Sequence, residues 1–421
     1  MTTDHDAATA FFLEAFAPEH RADPYGLYRR MREAGPFVTT DIEMHLAFGH
    51  ADCWSILRNP TVSSDERRSS VVRREAQTDP RLAALLDTRP LLVFMDPPHH
   101  TRLRALVAQG FTPRRVEQLR GSIQATTDAL VDDLVARGDG VVDIIERLAY
   151  PLPIAIICEL LGIPADDHDR FRDWSAALTK SVDPGVLRSD DDNAAIATAT
   201  AELNSYTGAL LDERRRHPGT DLLSDLVTRH GADDRRDADG LDDEELADLV
   251  TLLLVAGHET TVNLIGNGLV ALLDHPDQLD DWSRHPELGD TAIEELLRFD
   301  SPLQMVQRVA VDDLVVGDRT VPAGDQVIIL LGAANRDPDV FDEPDRLDIR
   351  RSNANRHLSF GGGIHHCLGA ALARVEGAIA VTTLLQRFPD LSPAGPAPIR
   401  DTFNLRGRTH LPVHLGSPRH P

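Results

Sequence analysis

Apolar residues recur at three- and four-residue spacing through most of the chain, the pattern of amphipathic helices. That spacing predicts helices over 24–33, 50–58, 113–135, 144–161, 166–180, 193–216 and 290–299. A longer helix is predicted from 244 to about 274, some 45 Å at 1.5 Å per residue. Its middle is apolar nearly all round, so it should run through a core. Short strands are predicted at 37–40, 45–48, 314–316, 320–321 and 326–331, and again around Phe403 and 411–415. Gly317-Asp318 and Pro322-Ala323-Gly324 mark the turns between the middle ones.

Three stretches break the periodicity. Residues 61–90 are polar and arginine-rich with paired serines, and read as a loop over a site or a mobile segment. Residues 181–192 carry Pro184-Gly185 and an acidic run that caps the following helix, and 230–243 is a charged, solvated connection. An irregular stretch fills 335–357. With no repeat and no clean linker, the expectation is one domain over 1–421, mainly α with a small β portion, its first 20 residues a flexible N-terminus.

Composition narrows the function classes. A length of 421 residues suffices for a large core, and 42% hydrophobic with 5% aromatic residues means aliphatic packing. A net charge of −25 argues against binding nucleic acid or an anionic membrane. The longest apolar runs, 152–163 and 249–256, fall short of a membrane span, and the polar first ten residues predict no signal peptide. Cys53, Cys158 and Cys367 form no even framework, which fits a reducing, cytoplasmic setting.

Candidate chemistry gathers in two places. Between Leu358 and Gly369, the glycines 361–363 lead into Cys367, and Leu368, Leu372, Val375 and Ile379 follow at helical spacing. Cys367 is therefore predicted at or just before a helix N-terminus, where free N–H groups and the helix dipole favour a thiolate. Glycines there admit positive φ and let backbone approach a flat ligand. A buried small hydrophobe is the plain alternative. A zinc site from His365, His366 and Cys367 is another, although no paired CxxC or HxxxH supplies the remaining ligands. A lone thiolate on a glycine loop suits the axial position of a haem iron, where its electron push favours O–O cleavage.

The second place is Ala256-Gly257-His258-Glu259-Thr260-Thr261 inside the long helix. A mid-helix glycine costs about 1 kcal/mol relative to alanine. Gly257 therefore asks for a reason, either close helix packing or room for a ligand. Thr260 can turn its hydroxyl to the Ala256 carbonyl, and Glu259 is an ionisable group in an apolar helix. His258 is read as structural.

Phe360-x-x-Gly363-x-His365-x-Cys367-x-Gly369 resembles the haem loop of the cytochrome P450 family, and the likeness runs from about residue 20 to the end. It implies the family's fold, a haem b with Cys367 as axial thiolate, and a role for Glu259 and Thr260 in relaying protons during dioxygen activation. Ala256 and Phe360 would border the haem, while His100, Arg104, Arg308 (placed just ahead of the first strand of the later hairpin) and His365 would hold its propionates. Glu295 and Arg298 resemble the family's ExxR, completed by Arg346, with Leu347 where the family has Phe; these three are expected to be structural. By the same likeness the protein would be a bacterial monooxygenase that takes two electrons from a ferredoxin and its reductase and hydroxylates or epoxidises a hydrophobic small molecule.

A haem-thiolate enzyme using peroxide or rearranging its substrate, and a non-catalytic haem sensor, are the alternatives. Leu91, Leu92, Leu178, Leu253, Leu303, Val306 and Phe403 lie in segments expected to touch substrate, and core packing would explain most of them equally. Arg346, Arg350, Arg351, Arg356 and Arg374 around the cysteine, with Arg102, Arg114, Arg115 and Arg120, suggest a docking patch for an acidic electron carrier.

Overall fold

The structure, a computed structural model, describes residues 14, 17–33, 35–40, 44–138, 140–182, 188–231, 241–402 and 404–419. Among them the strands are, in chain order, β1 (Phe37–Thr39), β2 (Met44–Ala47), β3 (Val62–Ser63), β4 (Val141–Asp143), β5 (Met305–Ala310), β6 (Leu314–Val316), β7 (Arg319–Val321), β8 (Gln326–Leu330), β9 (Ser392–Pro393) and β10 (Pro412–His414). The chain divides into two compact units, one formed by Met1–His100 with Glu294–Cys367, the other by Thr101–Ile293 with Leu368–Pro421.

The first unit is built on a five-stranded sheet in the order β1-β2-β8-β5-β3. β8 runs parallel to β2 and antiparallel to β5, and all five of its residues are buried. A continuous apolar run such as Val327-Ile328-Ile329-Leu330 suits a strand covered on both faces. Against it gather Phe37, Cys53, Ile56, Leu57, Leu314 and Val321. The hairpin β6–β7 turns at Gly317, whose φ of 60° favours glycine.

One expectation fails in this unit, and one strand, β5, was not anticipated. Residues 61–90 are not a loop: they hold β3, a 3-10 turn at Glu66–Arg68 and helices Ser70–Glu75 and Pro80–Asp87. The arginines that made the segment look solvated pair locally, Arg67 with Asp65 at 2.7 Å and Arg68 with Asp96 at 3.1 Å. Arg308 does precede the first strand of the hairpin, β6, but it lies inside a further strand, β5, opposite Val327. Gln307-Arg308 interrupt the apolar run there, and pairing with β8 decides the conformation.

The second unit is organised on the helix Asp243–Asp274, opened by a reciprocal capping box between Asp242 and Glu245. It is long and apolar enough to cross a membrane, but two-thirds of its most apolar window, 67%, is buried against protein. It packs on helices Pro151–Leu161, His168–Thr179, Asp190–Arg216 and Ala370–Arg387. Gly257 finds its reason here: a Cβ at that position would come 3.2 Å from Ile157, so the glycine permits close helix packing. The helix predicted over 144–161 is interrupted, with a π turn at Ile145–Ala149 and a fresh start at Pro151. Helix Asp190–Arg216 starts three residues before the expected 193, so the acidic run expected to cap it from the loop forms its first turn instead, with Ser189 and Asp192 making the capping box. Helix Leu222–Gly231 was not anticipated. Residues 183–187, most of the connection 230–243, and Phe403 lie outside the described residues.

Candidate active site

The cysteine loop is a backbone construction hung from a buried ion cluster. Cys367 donates its N–H to the Phe360 carbonyl at 2.9 Å, and Gly361 to Leu358 at 2.8 Å. Gly361 and Gly363 take φ of 65° and 63°, and a Cβ on Gly363 would sit 2.3 Å from the Leu57 carbonyl. A side chain at Gly363 would collide with fixed backbone, so the loop path requires glycine. Asn335 holds the loop's entry, accepting from Leu358 N at 2.6 Å and donating to Ser359 Oγ at 2.8 Å; Ser359 Oγ donates to Leu297 O at 2.7 Å. Of the three cysteines Cys367 alone is exposed, whereas burial pushes the Cys158 thiol up to about 12 and Cys53 higher still. The helix behind the loop, Ala370–Arg387, starts three residues after Cys367.

Arg298 anchors this construction. It is fully buried, grips Glu295 with two bonds of 2.7 and 2.8 Å, and donates to the carbonyls of Asn335 (3.0 Å), Pro344 (2.8 Å) and Arg346 (3.2 Å). The expected third member is corrected. Arg351, not Arg346, reaches Glu295, at 3.1 Å, while the Arg346 side chain is exposed and pairs with Glu343. Arg346 contributes its carbonyl, which sequence spacing does not reveal. Leu347 is buried in the place the resemblance gives to Phe.

The expected propionate ligands meet different fates. His100, buried on helix His99–Val107, has its ring 4.3 Å from that of His365. Arg104 stands four residues on along the same helix and is half-buried. Arg308 is buried, and its guanidinium bonds only the Gln307 carbonyl beside it, at 2.7 Å, among the described residues. Burial lowers its pKa to about 10, with the Asp96 carboxylate pulling the other way. A buried cation so poorly matched is suited to receive an anion. Among the described residues no three His, Cys, Asp or Glu side chains gather as a metal site, which leaves the zinc reading without ligands.

On the long helix, Thr260 donates to the Ala256 carbonyl at 2.9 Å. Ala256 is exposed and Thr260 half-buried, although their helix is buried around most of its circumference. Glu259 is fully buried and is held by Arg400 at 2.5 Å, with Ser175 Oγ at 3.4 Å and His258 Nε2 at 3.7 Å. Nothing in the spacing pointed to Arg400, 141 residues away in sequence. His258 packs edge-on to Tyr150.

Burial holds the His258 imidazole below its usual value, against the pull of Glu259. The unfolded chain accepts that proton at about pH 6.5 and the folded one only lower. Stability from this group is therefore full above about pH 6.5 and lost as pH falls below it toward the folded value. Thermal melts of His258→Phe across that window should show a flatter acid limb than the parent, with His50, also held low by burial, keeping its own share.

The expected substrate contacts divide. Leu178 is buried and lines a small cavity in the second unit together with Ile154, Phe171, Leu203, Leu254 and His258. Leu303 and Val306 lie half-buried against the core of the first unit, and Leu92 and Leu253 are buried. Several of the arginines proposed for docking are engaged: Arg351 as above, Arg102 with Glu245, Arg120 with Glu117. Arg350 and Arg356 are exposed.

Comparison with known proteins agrees with this geometry. A family model described as Cytochrome P450 matches residues 75–405. The chain is 44% identical over 385 residues to the cytochrome P450 monooxygenase PikC of Streptomyces venezuelae, covering 90% of this chain and 87% of that one. It is 39% identical over 422 residues to the vitamin D(3) 25-hydroxylase of Pseudonocardia autotrophica, covering 99% and 97%. The solved structure of ligand-free CYP164A2 from Mycobacterium smegmatis superposes with a TM-score of 0.87 at 39% identity, covering 96% of this chain and 99% of that one. With the glycine-loop cysteine and the buried Glu295–Arg298 pair in place, the chain belongs to the cytochrome P450 family, as one of its bacterial monooxygenases.

Proposed function

We propose that the protein inserts one oxygen atom of dioxygen into a hydrophobic small molecule, by hydroxylation or epoxidation, with two electrons from a ferredoxin. The observation that carries the reading is Glu259, a buried carboxylate held by Arg400 next to the half-buried Thr260. The donor set fits a haem b: an exposed thiol on a glycine loop, a buried and poorly matched Arg308, and an exposed alanine in an otherwise buried helix. Cys367 would ligate its iron through the thiolate, His100, Arg104, Arg308 and His365 would hold its propionates, and Phe360 and Ala256 would border it. The family's haem, thiolate-ligated, supplies dioxygen binding and O–O cleavage. Glu259 would store and release a proton, and the Thr260 hydroxyl, hinged on the Ala256 carbonyl, would pass it on.

A terpenoid, steroid, fatty acid or macrolide-like substrate suits the aliphatic residues at Leu92, Leu253, Leu303 and Val306. Relatives named as a vitamin D(3) 25-hydroxylase and a polyketide-biosynthesis P450 support that class. Three cysteines that form no disulfide support a cytoplasmic setting, and a family match that continues through both units supports a single domain.

The test is turnover with a ferredoxin, its reductase and a hydrophobic panel. Glu259→Gln should slow product formation by about 10²-fold or more, the usual worth of a general acid. Thr260→Ala should divert electrons to hydrogen peroxide. Unchanged coupling in both variants would overturn the relay.

A further inference from the structure

The hairpin 399–408 lies along one face of the long helix, and that face is polar where it should be apolar. Ile399 and Arg408 bridge antiparallel, and Arg400 N donates to Gly407 O at 2.9 Å. Arg400 also donates to Arg408 O at 3.1 Å and holds Glu259. Four residues further along the helix, Asn263 abuts Gly407 so closely that a Cβ there would lie 1.8 Å from Asn263 Oδ1. Four more, and Asn267 Nδ2 donates to Arg406 O at 3.0 Å. Glu259, Asn263 and Asn267 thus share one stripe, covered by one hairpin.

Both asparagines are 1% exposed. Asn263 has neither amide nitrogen nor oxygen paired among the described residues, and Asn267 Oδ1 is likewise unpaired. Buried amides with unmet donors and acceptors are where proteins seat ordered water. Packing alone would place an aliphatic side chain here, as at the buried neighbours Val262, Leu264 and Ile265.

We propose that Asn263 and Asn267 seat a buried water cluster under the hairpin 399–408, and that this water returns to Glu259 each proton it gives up. Arg400 is the positioning residue that keeps the carboxylate facing the cluster. The step is a proton transfer only: a water seated on Asn263 gives a proton to the Glu259 carboxylate and takes one from the next water, the last water of the chain draws its proton from bulk solvent, and the amides neither gain nor lose one. The inference rests on Glu259 acting as proton donor.

Two measurements on the full-length holoprotein test it. A high-resolution crystal structure should show ordered water within hydrogen-bonding distance of Asn263 Oδ1 and Nδ2 and Asn267 Oδ1; a dry site there overturns the proposal. Asn263→Leu should then release about tenfold more peroxide per product, a loss smaller than removing the acid itself, with a changed solvent isotope effect. Asn263→Ser, which leaves room for water and keeps a hydroxyl, should restore both, and it carries the test if the leucine variant does not fold. Parental peroxide release and isotope effect in Asn263→Leu, beside a damaged Glu259→Gln, overturn the water supply alone. An undamaged Glu259→Gln overturns the relay on which it rests.

Discussion

Glu295→Ala is expected to cost about 3–5 kcal/mol, the range for removing one partner of a buried ion pair. That is a large part of the 5–15 kcal/mol that holds a typical domain. Two guanidiniums depend on this carboxylate, Arg298 at 2.7 and 2.8 Å and Arg351 at 3.1 Å, and Asp348 N donates to it at 2.9 Å. Without it both cations stay buried and unpaired, and the five carbonyls they bind lose their fixed donors: Asn335, Pro344 and Arg346 from Arg298, Asp342, Glu343 and again Arg346 from Arg351. Asn335 carries the entry of the cysteine loop, so the loop should loosen with it. The same logic separates two arginines that look alike in the sequence. Arg351→Ala should approach the Glu295 loss, whereas Arg346→Ala should stay within about 0.5 kcal/mol, because its side chain is exposed and only its backbone carbonyl serves the cluster. Urea unfolding of the three variants decides it. Equal losses for Arg346 and Arg351 would sink this assignment.

What could be read in advance followed local physics. The helix His50–Arg58 agrees with its periodicity at both ends, and Asp243–Asp274 to within a residue at its start, where Asp242 and Glu245 announce a cap. Strand β5 was hidden because Gln307 and Arg308 sit where an alternating pattern wants apolar residues, and only the partner β8 makes them a strand. Residues 61–90 misled because arginines were counted as solvated charge while Asp65 and Asp96 were already in reach. Within the site, Cys367, Glu259 and Thr260 stood out through neighbours in the chain. Arg351 and Arg400 did not, since each acts on a residue tens to more than a hundred positions away, Glu295 and Glu259. Asn263 and Asn267 were passed over inside a helix read as apolar. Their unpaired amides become informative only once the hairpin 399–408 is seen to bury them.

Cys367→Ser is expected to leave the fold intact and remove the chemistry. The substitution exchanges one atom on an exposed side chain, and the loop's closing bond at this residue, to the Phe360 carbonyl at 2.9 Å, is made by the backbone. Thermal stability of the apoprotein should therefore shift by no more than about 0.5 kcal/mol. The reduced protein under carbon monoxide should lose the strongly red-shifted Soret band of a thiolate-ligated haem, and product formation should drop to background. Cys158→Ser supplies the opposite signature: its hydroxyl would be buried in the apolar helix Pro151–Leu161 and should cost about 1–3 kcal/mol, while spectrum and turnover per folded molecule stay parental. The crossing of the two outcomes matters more than either loss, because a merely destabilised protein gives only the second. A red-shifted band that survives Cys367→Ser would place the thiolate elsewhere and remove Cys367 from the haem.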